Sequence, residues 1–218
     1  MHNPYEASYN LACEKMAQLD LDDVAFNGSA RLDSDVLSIE LLGETFIISA
    51  ESGSASGGKE WGKNITISSG REPRISEKIL LLHYLVTADG APLTRQEVTL
   101  ENIPGAAFYY PTYKARSIDL IIRRFASAPS DFIKAVQKIG FNPAKEGRQY
   151  RLKSLVLPNV PISFVLWESD SGHPAIETIK VLYDTGITHY LPLEDIIIIT
   201  EMIAHRIIKS GAEVSYLK

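Results

Sequence analysis

Two groups of residues in this 218-residue chain have the types and spacing to do chemistry. The first is Phe108-Tyr109-Tyr110-Pro111 followed by Lys114, Arg116, Arg123 and Arg124. Pro111 or Thr112 is expected to begin a helix, and the free N–H groups of a helix start attract anions. Lys114 and Arg116 then fall in the first turns, where the helix dipole disfavours positive charge. Cations placed there make sense around a bound anion, with the tyrosine rings supplying flat apolar faces and hydroxyl donors. This reading names Tyr109, Tyr110, Lys114 and Arg116 as ligand-binding candidates for an anionic or planar small molecule. The plainer reading is a buried aromatic cluster with a solvated basic face, helped by an i,i+4 pair of Asp119 with Arg123.

The second group is Asp184, His189, Glu194 and Asp195. A histidine beside several carboxylates suits acid–base work or metal binding, which makes His189, Asp184 and Asp195 the catalytic candidates. The plainer reading gives Asp184-Thr185-Gly186 to turn chemistry and Glu194 and Asp195 to the start of a helix. His83 sits inside an apolar helical run and reads as a satisfied core histidine. His205 follows Glu201 by four residues, an ordinary helical pair. Cys13 reads as a small buried hydrophobe rather than a reactive thiol.

Other chemistries are poorly served. Gly53-Ser54-Ala55-Ser56-Gly57-Gly58-Lys59 matches the first seven positions of a phosphate-binding loop. The eighth is Glu60 where the magnesium-binding hydroxyl should be, and Trp61-Gly62-Lys63-Asn64 does not read as a helix start. Ser52 to Gly58 is therefore expected to be a mobile surface loop. No Gly-x-Ser-x-Gly, His-Glu-x-x-His or dinucleotide fingerprint occurs. Twenty-two basic against 27 acidic residues give a net charge of −5, which disfavours a nucleic-acid binder. With one cysteine there is no intramolecular disulfide and no cysteine-based metal site, and a reducing cytoplasm is the expected location. The longest apolar runs fall short of a membrane span.

The elements that must position these residues are legible in part. Asn3-Pro4-Tyr5-Glu6 starts a helix over about 4–18, with Tyr5, Tyr9, Ala12 and Met16 on one stripe. Val36 to Ile48 reads as two strands joined at Leu42-Gly43-Glu44, with Ile39, Leu41, Phe46 and Ile48 inward. Ile65 and Ile67 add a short strand. Ser76 is expected to cap a helix running to about Ala88, apolar almost all round and so central and buried. Tyr113, Ile118, Ile121, Ile122 and Phe125 form the core face of the helix after Pro111. Ser130 starts a short helix that stops at Gly140. Arg148–Leu157 and Pro161–Glu168 make a hairpin, and Ile179–Tyr183 adds a strand. A last helix runs from near Pro192 to Lys209-Ser210-Gly211. Grouped rather than alternating elements favour a single α+β domain over residues 1–218, a mostly antiparallel sheet packed against several helices.

Three stretches carry a family resemblance: Lys78-Ile79-Leu80-Leu81-Leu82-His83-Tyr84-Leu85; Pro104-Gly105-Ala106-Ala107-Phe108-Tyr109-Tyr110-Pro111 with Lys114-Ala115-Arg116; and Asp184 through His189-Tyr190-Leu191-Pro192 to Glu194-Asp195. Over about Leu32 to Lys209 the chain resembles a domain-of-unknown-function family, the 3786 type, of anaerobic bacteria and archaea. Some relatives look like fusions to a cysteine-rich iron–sulfur module of the kind seen in corrinoid-dependent one-carbon metabolism, and Cys13 alone does not supply such a module. The resemblance implies no activity. It implies a non-catalytic binding or accessory protein of anaerobic metabolism, with an iron–sulfur or corrinoid protein as partner. The alternative from the residues is a small enzyme using His189 and nearby carboxylates on an anionic substrate.

Overall fold

The computed structural model describes residues 4–52 and 59–215. The fold is α+β, with two antiparallel sheets. The chain forms two compact units. The first is 1–93 with 157–159 and 186–195, and the second is 94–156, 160–185 and 196–218.

The first unit opens with α1 (Pro4–Met16) and α2 (Leu21–Asn27). Ala12, Cys13 and Met16 of α1 are buried, whereas Tyr5, placed on the same stripe by the sequence, is exposed. The α2 helix has no apolar period long enough to announce it. It is held by the Asp20 side chain, which accepts from the Asp22 and Asp23 amides. A four-stranded meander comes next: β1 (Arg31–Asp33), β2 (Val36–Leu41), β3 (Glu44–Ser52) and β4 (Lys59–Ile67), in chain order. The β2–β3 turn is Leu42-Gly43 with φ of 51° and 76°. Both residues are left-handed, as a two-residue hairpin turn that matches strand twist requires. Ile39, Leu41, Phe46 and Ile48 face the core as their alternation foretold. Residues 53–58, and with them most of the glycine/serine loop, lie outside the described residues. The next element is strand β4, so the helix that a phosphate-binding loop needs is not there.

Against this sheet lies α3 (Ile75–Thr87). Leu80, Leu81, Leu82, Tyr84 and Leu85 are fully buried, which explains its apolar surface on nearly every side. Ser76 does not cap it. The helix starts two residues earlier, at Ile75 after Arg74, whose amide donates to Glu77 Oε2 at 2.9 Å. Glu77 is only 3% exposed and is also gripped by Arg71, with Nη1 and Nη2 each 2.9 Å from its oxygens. Arg71 reaches Glu44 at the start of β3 with Nε and Nη2 at 3.1 and 2.9 Å. Hydrogen bonds to Glu44 and then Glu77 raise the Arg71 pKa, so one permanently charged guanidinium ties the helix start to the hairpin.

The second unit holds the other sheet, in the order β5 (Glu97–Val98), β9 (Pro174–Asp184), β8 (Val160–Glu168), β7 (Gln149–Leu157), β6 (Asn142–Glu146). Val160 through Leu166 are all buried, as befits a central strand covered on both faces. Single-turn 3₁₀ segments lie at Leu100–Asn102 and Ala106–Tyr109. They lead into α4 (Tyr110–Tyr113), a π-helical stretch over Lys114–Ile118, and α5 (Asp119–Phe125). Helices α6 (Pro129–Lys138) and α7 (Leu193–Ser215) complete the elements. Phe125, Phe132, Phe141 and Phe164 form a chain of ring contacts 5.4–5.9 Å apart in this core.

The last helix does not stop at Gly211 but runs to Ser215. A Cβ on Gly211 would lie 2.6 Å from the Phe125 ring, so the glycine is there for close packing and not as a helix end. Asp119 also differs from expectation: its carboxylate takes Lys114, while Arg123 donates to its backbone oxygen. No helix among the described residues is long and apolar enough to cross a membrane.

Arg71→Ala should cost about 3 kcal/mol, because it strands the buried Glu77 carboxylate, and a urea unfolding curve will show it. Glu97 offers a pH test. Burial raises its pKa, but hydrogen bonds from Arg151 and Ser163 and the nearby Arg151 and Lys153 charges outweigh this and hold it below 4.5. A lowered folded pKa gives stability that is present above the unfolded value and lost as pH falls through the folded one. Glu97→Gln should therefore be less stable than the parent at pH 7, and the gap should close as the pH drops below about 4.

Candidate functional site

One wall of the candidate site is the helical stretch Tyr110–Phe125. Pro111 does not begin it, because the 3₁₀ segment before it already feeds into Tyr110. The Tyr110 amide donates to Ala107 O, so this start is less open to an anion than the sequence suggested. Within the stretch, the Asp119 amide bonds to Lys114 O, five residues back, so the helix takes in one extra residue. Ser117 in that π-turn is fully buried, and its hydroxyl has no hydrogen-bond partner among the described residues. Such turns are local departures from the best helix geometry and occur often at functional sites.

The opposite wall is the β8–β9 pair, and it is irregular too. Val165 pairs with Lys180, and two residues on, Trp167 pairs with Ala175, so β9 carries three extra residues there. Thr178 patches the broken ladder: its hydroxyl accepts from the Trp167 amide at 3.0 Å and donates to Ala175 O at 2.6 Å. The bulge turns Glu177, Thr178 and Ile179 towards a cleft of about 470 Å³.

Tyr110, Lys114, Glu101, Trp167, Glu177 and Lys180 supply the aromatic and charged groups of this cleft. Trp167 is 36% exposed, and the Lys180 ammonium stands 5.7 Å from the centre of its ring. Tyr113 forms part of the floor. Its hydroxyl is 3.1 Å from that of Tyr183, which is 2.8 Å from Thr200 Oγ1, and Thr200 donates to Ile196 O. Burial pushes both phenols well above the ordinary range, so they act as neutral hydrogen-bonding groups.

Of the ligand-binding candidates, Tyr110 and Lys114 line the cleft, and Tyr109 and Arg116 do not. Tyr109 sits edge-on to the exposed Phe108. Arg116 is 64% exposed, with Nη1 3.4 Å from Glu201 Oε1. The carboxylates and histidine grouped by the sequence take separate partners. His189 Nδ1 is 2.7 Å from Asp89 Oδ2 on the surface, and that contact, with the Ala91 amide, lowers the Asp89 pKa. Asp195 is buried, with Oδ2 2.6 Å from Nδ1 of His83. Asp184 accepts from the Thr94 amide and hydroxyl at 3.1 and 2.8 Å and from the Arg95 amide at 2.7 Å. It holds a loop in which Arg95 has φ of +60°, a strained value for a side-chain-bearing residue. His83 is partly exposed, 28% by its side chain, and is satisfied by its contact with Asp195. Burial raises the Cys13 thiol pKa, in keeping with a packing role. Among the described residues, no group of three or more His, Cys, Asp or Glu is placed to hold a metal ion.

Residues 20–206 match a protein family described as Domain of unknown function (DUF3786). The chain belongs to that family. The matched stretch begins at the α2 cap and contains every residue that lines the cleft. No curated protein and no solved structure matches the chain.

Asp184→Ala frees the two loop amides without replacing their acceptor. It should destabilise the protein by about 2–3 kcal/mol, and amide hydrogen exchange at Thr94 and Arg95 should accelerate.

Proposed function

We propose that this protein is a non-catalytic binding module whose ligand, a small molecule with a flat face, occupies the cleft between α4 and the β8–β9 pair. One observation carries the reading: the π-turn and the three-residue bulge, two departures from regular structure, stand on opposite walls of one cleft. Each sacrifices local backbone regularity, and proteins retain such departures where function needs them. Tyr110 and Trp167 offer faces for stacking, and Lys180 offers charge. In the anaerobic metabolism implied by the family resemblance, such a module would hold a metabolite for an iron–sulfur or corrinoid protein partner.

A second reading, a small enzyme, is favoured by the His83–Asp195 contact. A buried carboxylate against Nδ1 orients the ring, and Nε2 has no hydrogen bond among the described residues. Neither residue lines the cleft.

The protein has two tryptophans, Trp61 buried beside α1 and Trp167 at the cleft, so its two indole N–H signals in a nitrogen-15 NMR spectrum separate the site from the rest. Adding 3-phenylpropionate, 2-phenylethylamine or L-phenylalanine up to about 10 mM should shift the Trp167 signal and leave Trp61 in place. Tyr110→Ala should weaken that response about ten-fold, and His83→Ala should leave it unchanged. If none of the three probes moves Trp167, the cleft is not a site for flat ligands. Chemical conversion of a probe, lost in His83→Ala, would favour the enzyme.

A further inference from the structure

We infer that the cleft selects a zwitterion: a molecule with a flat ring that carries an ammonium and a carboxylate, of the amino-acid class. The inference rests on the cleft being a ligand site and adds the charge pattern of what enters it. Two of its four ionic groups stand on the bulged wall, Glu177 and Lys180, both solvent-exposed. They do not pair with each other. The Glu177 side chain makes no hydrogen bond or ion pair among the described residues, and the Lys180 side chain makes only the contact with the Trp167 ring. An unpaired carboxylate and an unpaired ammonium on one wall, three residues apart, call for a ligand that presents the complement of each.

The opposite wall argues the same way. Lys114 is already bound to Asp119, so its charge is largely cancelled before any ligand arrives. Glu101 adds a second carboxylate to the lining. Two lysines, one of them neutralised, against two glutamates leave no net positive field. A multiply charged anion such as inorganic phosphate would face Glu101 and Glu177 unscreened. A molecule carrying only an ammonium would leave Lys180 without an anion. A zwitterion with a ring satisfies both charged groups of the bulged wall at once. Its carboxylate meets Lys180, its ammonium meets Glu177, and its ring lies on Trp167 or Tyr110. The ion pairs are solvated, so each contributes a modest factor and the selectivity comes from their sum.

The test uses three molecules with one phenyl ring and different charges, read by the Trp167 indole signal. L-phenylalanine should bind about three- to ten-fold more tightly than 3-phenylpropionate or 2-phenylethylamine. Glu177→Gln should bring L-phenylalanine down to the level of 3-phenylpropionate. Lys180→Met should bring it down to the level of 2-phenylethylamine. Both side chains are exposed, so melting temperatures should not move, and a melt of each variant confirms that the fold is intact. Equal binding of all three molecules, or tightest binding of either singly charged one, overturns the zwitterion and leaves the flat-ligand reading standing. Tighter binding of phosphate than of L-phenylalanine overturns it as well. Binding by none of them removes both.

Discussion

The hydroxyl chain through Tyr113, Tyr183 and Thr200 is the constraint on which the second unit turns. Tyr113 is 3% exposed and Tyr183 fully buried, so neither phenol has water to fall back on. A buried hydroxyl without a partner costs a few kcal/mol, and these groups find their partners in one another. That fixes Tyr113 on its helix against β9 and α7. Further along the same helical stretch, Ile121 and Phe125 must also face inward. A regular helix would carry one of these two demands off the core face. The extra residue is taken up in the π-turn between them, where Tyr110 and Lys114 are left bordering the cleft.

The strand side obeys a parallel logic. Three surplus residues in β9 would leave backbone groups of β8 without partners, and the Thr178 hydroxyl stands in for the missing ladder. The price of a local defect is thus limited by a side chain that mimics the backbone. The aromatic core beneath, from Phe125 to Phe141, is unbroken.

What the sequence disclosed and what it hid divide along physical lines. Features governed by neighbours in the chain were readable: the α3 run from Ile79 to Leu85, the Leu42-Gly43 turn, and the alternation of Ile39, Leu41, Phe46 and Ile48. Features governed by distant contacts were not. Gly211 looks like a helix end until Phe125 is seen against it. Asp195 lies in the first turn of α7 as its position suggested, but its contact with His83 at 2.6 Å is announced by no spacing. Trp167, Glu177 and Lys180 belong to no motif, because a bulge and not a spacing brings them to the cleft. One hint was present. Tyr113 and Ile118, both core residues, are five positions apart, a step too long for one face of an α-helix and right for a π-turn.

The first unit is assembled from three stretches of chain, and its last stretch ends at Asp195. The partner of His83 is therefore made 112 residues after His83 itself. During synthesis the ribosome must add all five strands of the second unit's sheet before the first unit can close that contact. The early hairpins and α3 can form as they emerge, since their pairings are local. The His83–Asp195 contact cannot, and the first unit is complete only after Asp195 has been made. Cutting the chain after residue 93 would not release a finished unit but one that lacks its closing segment.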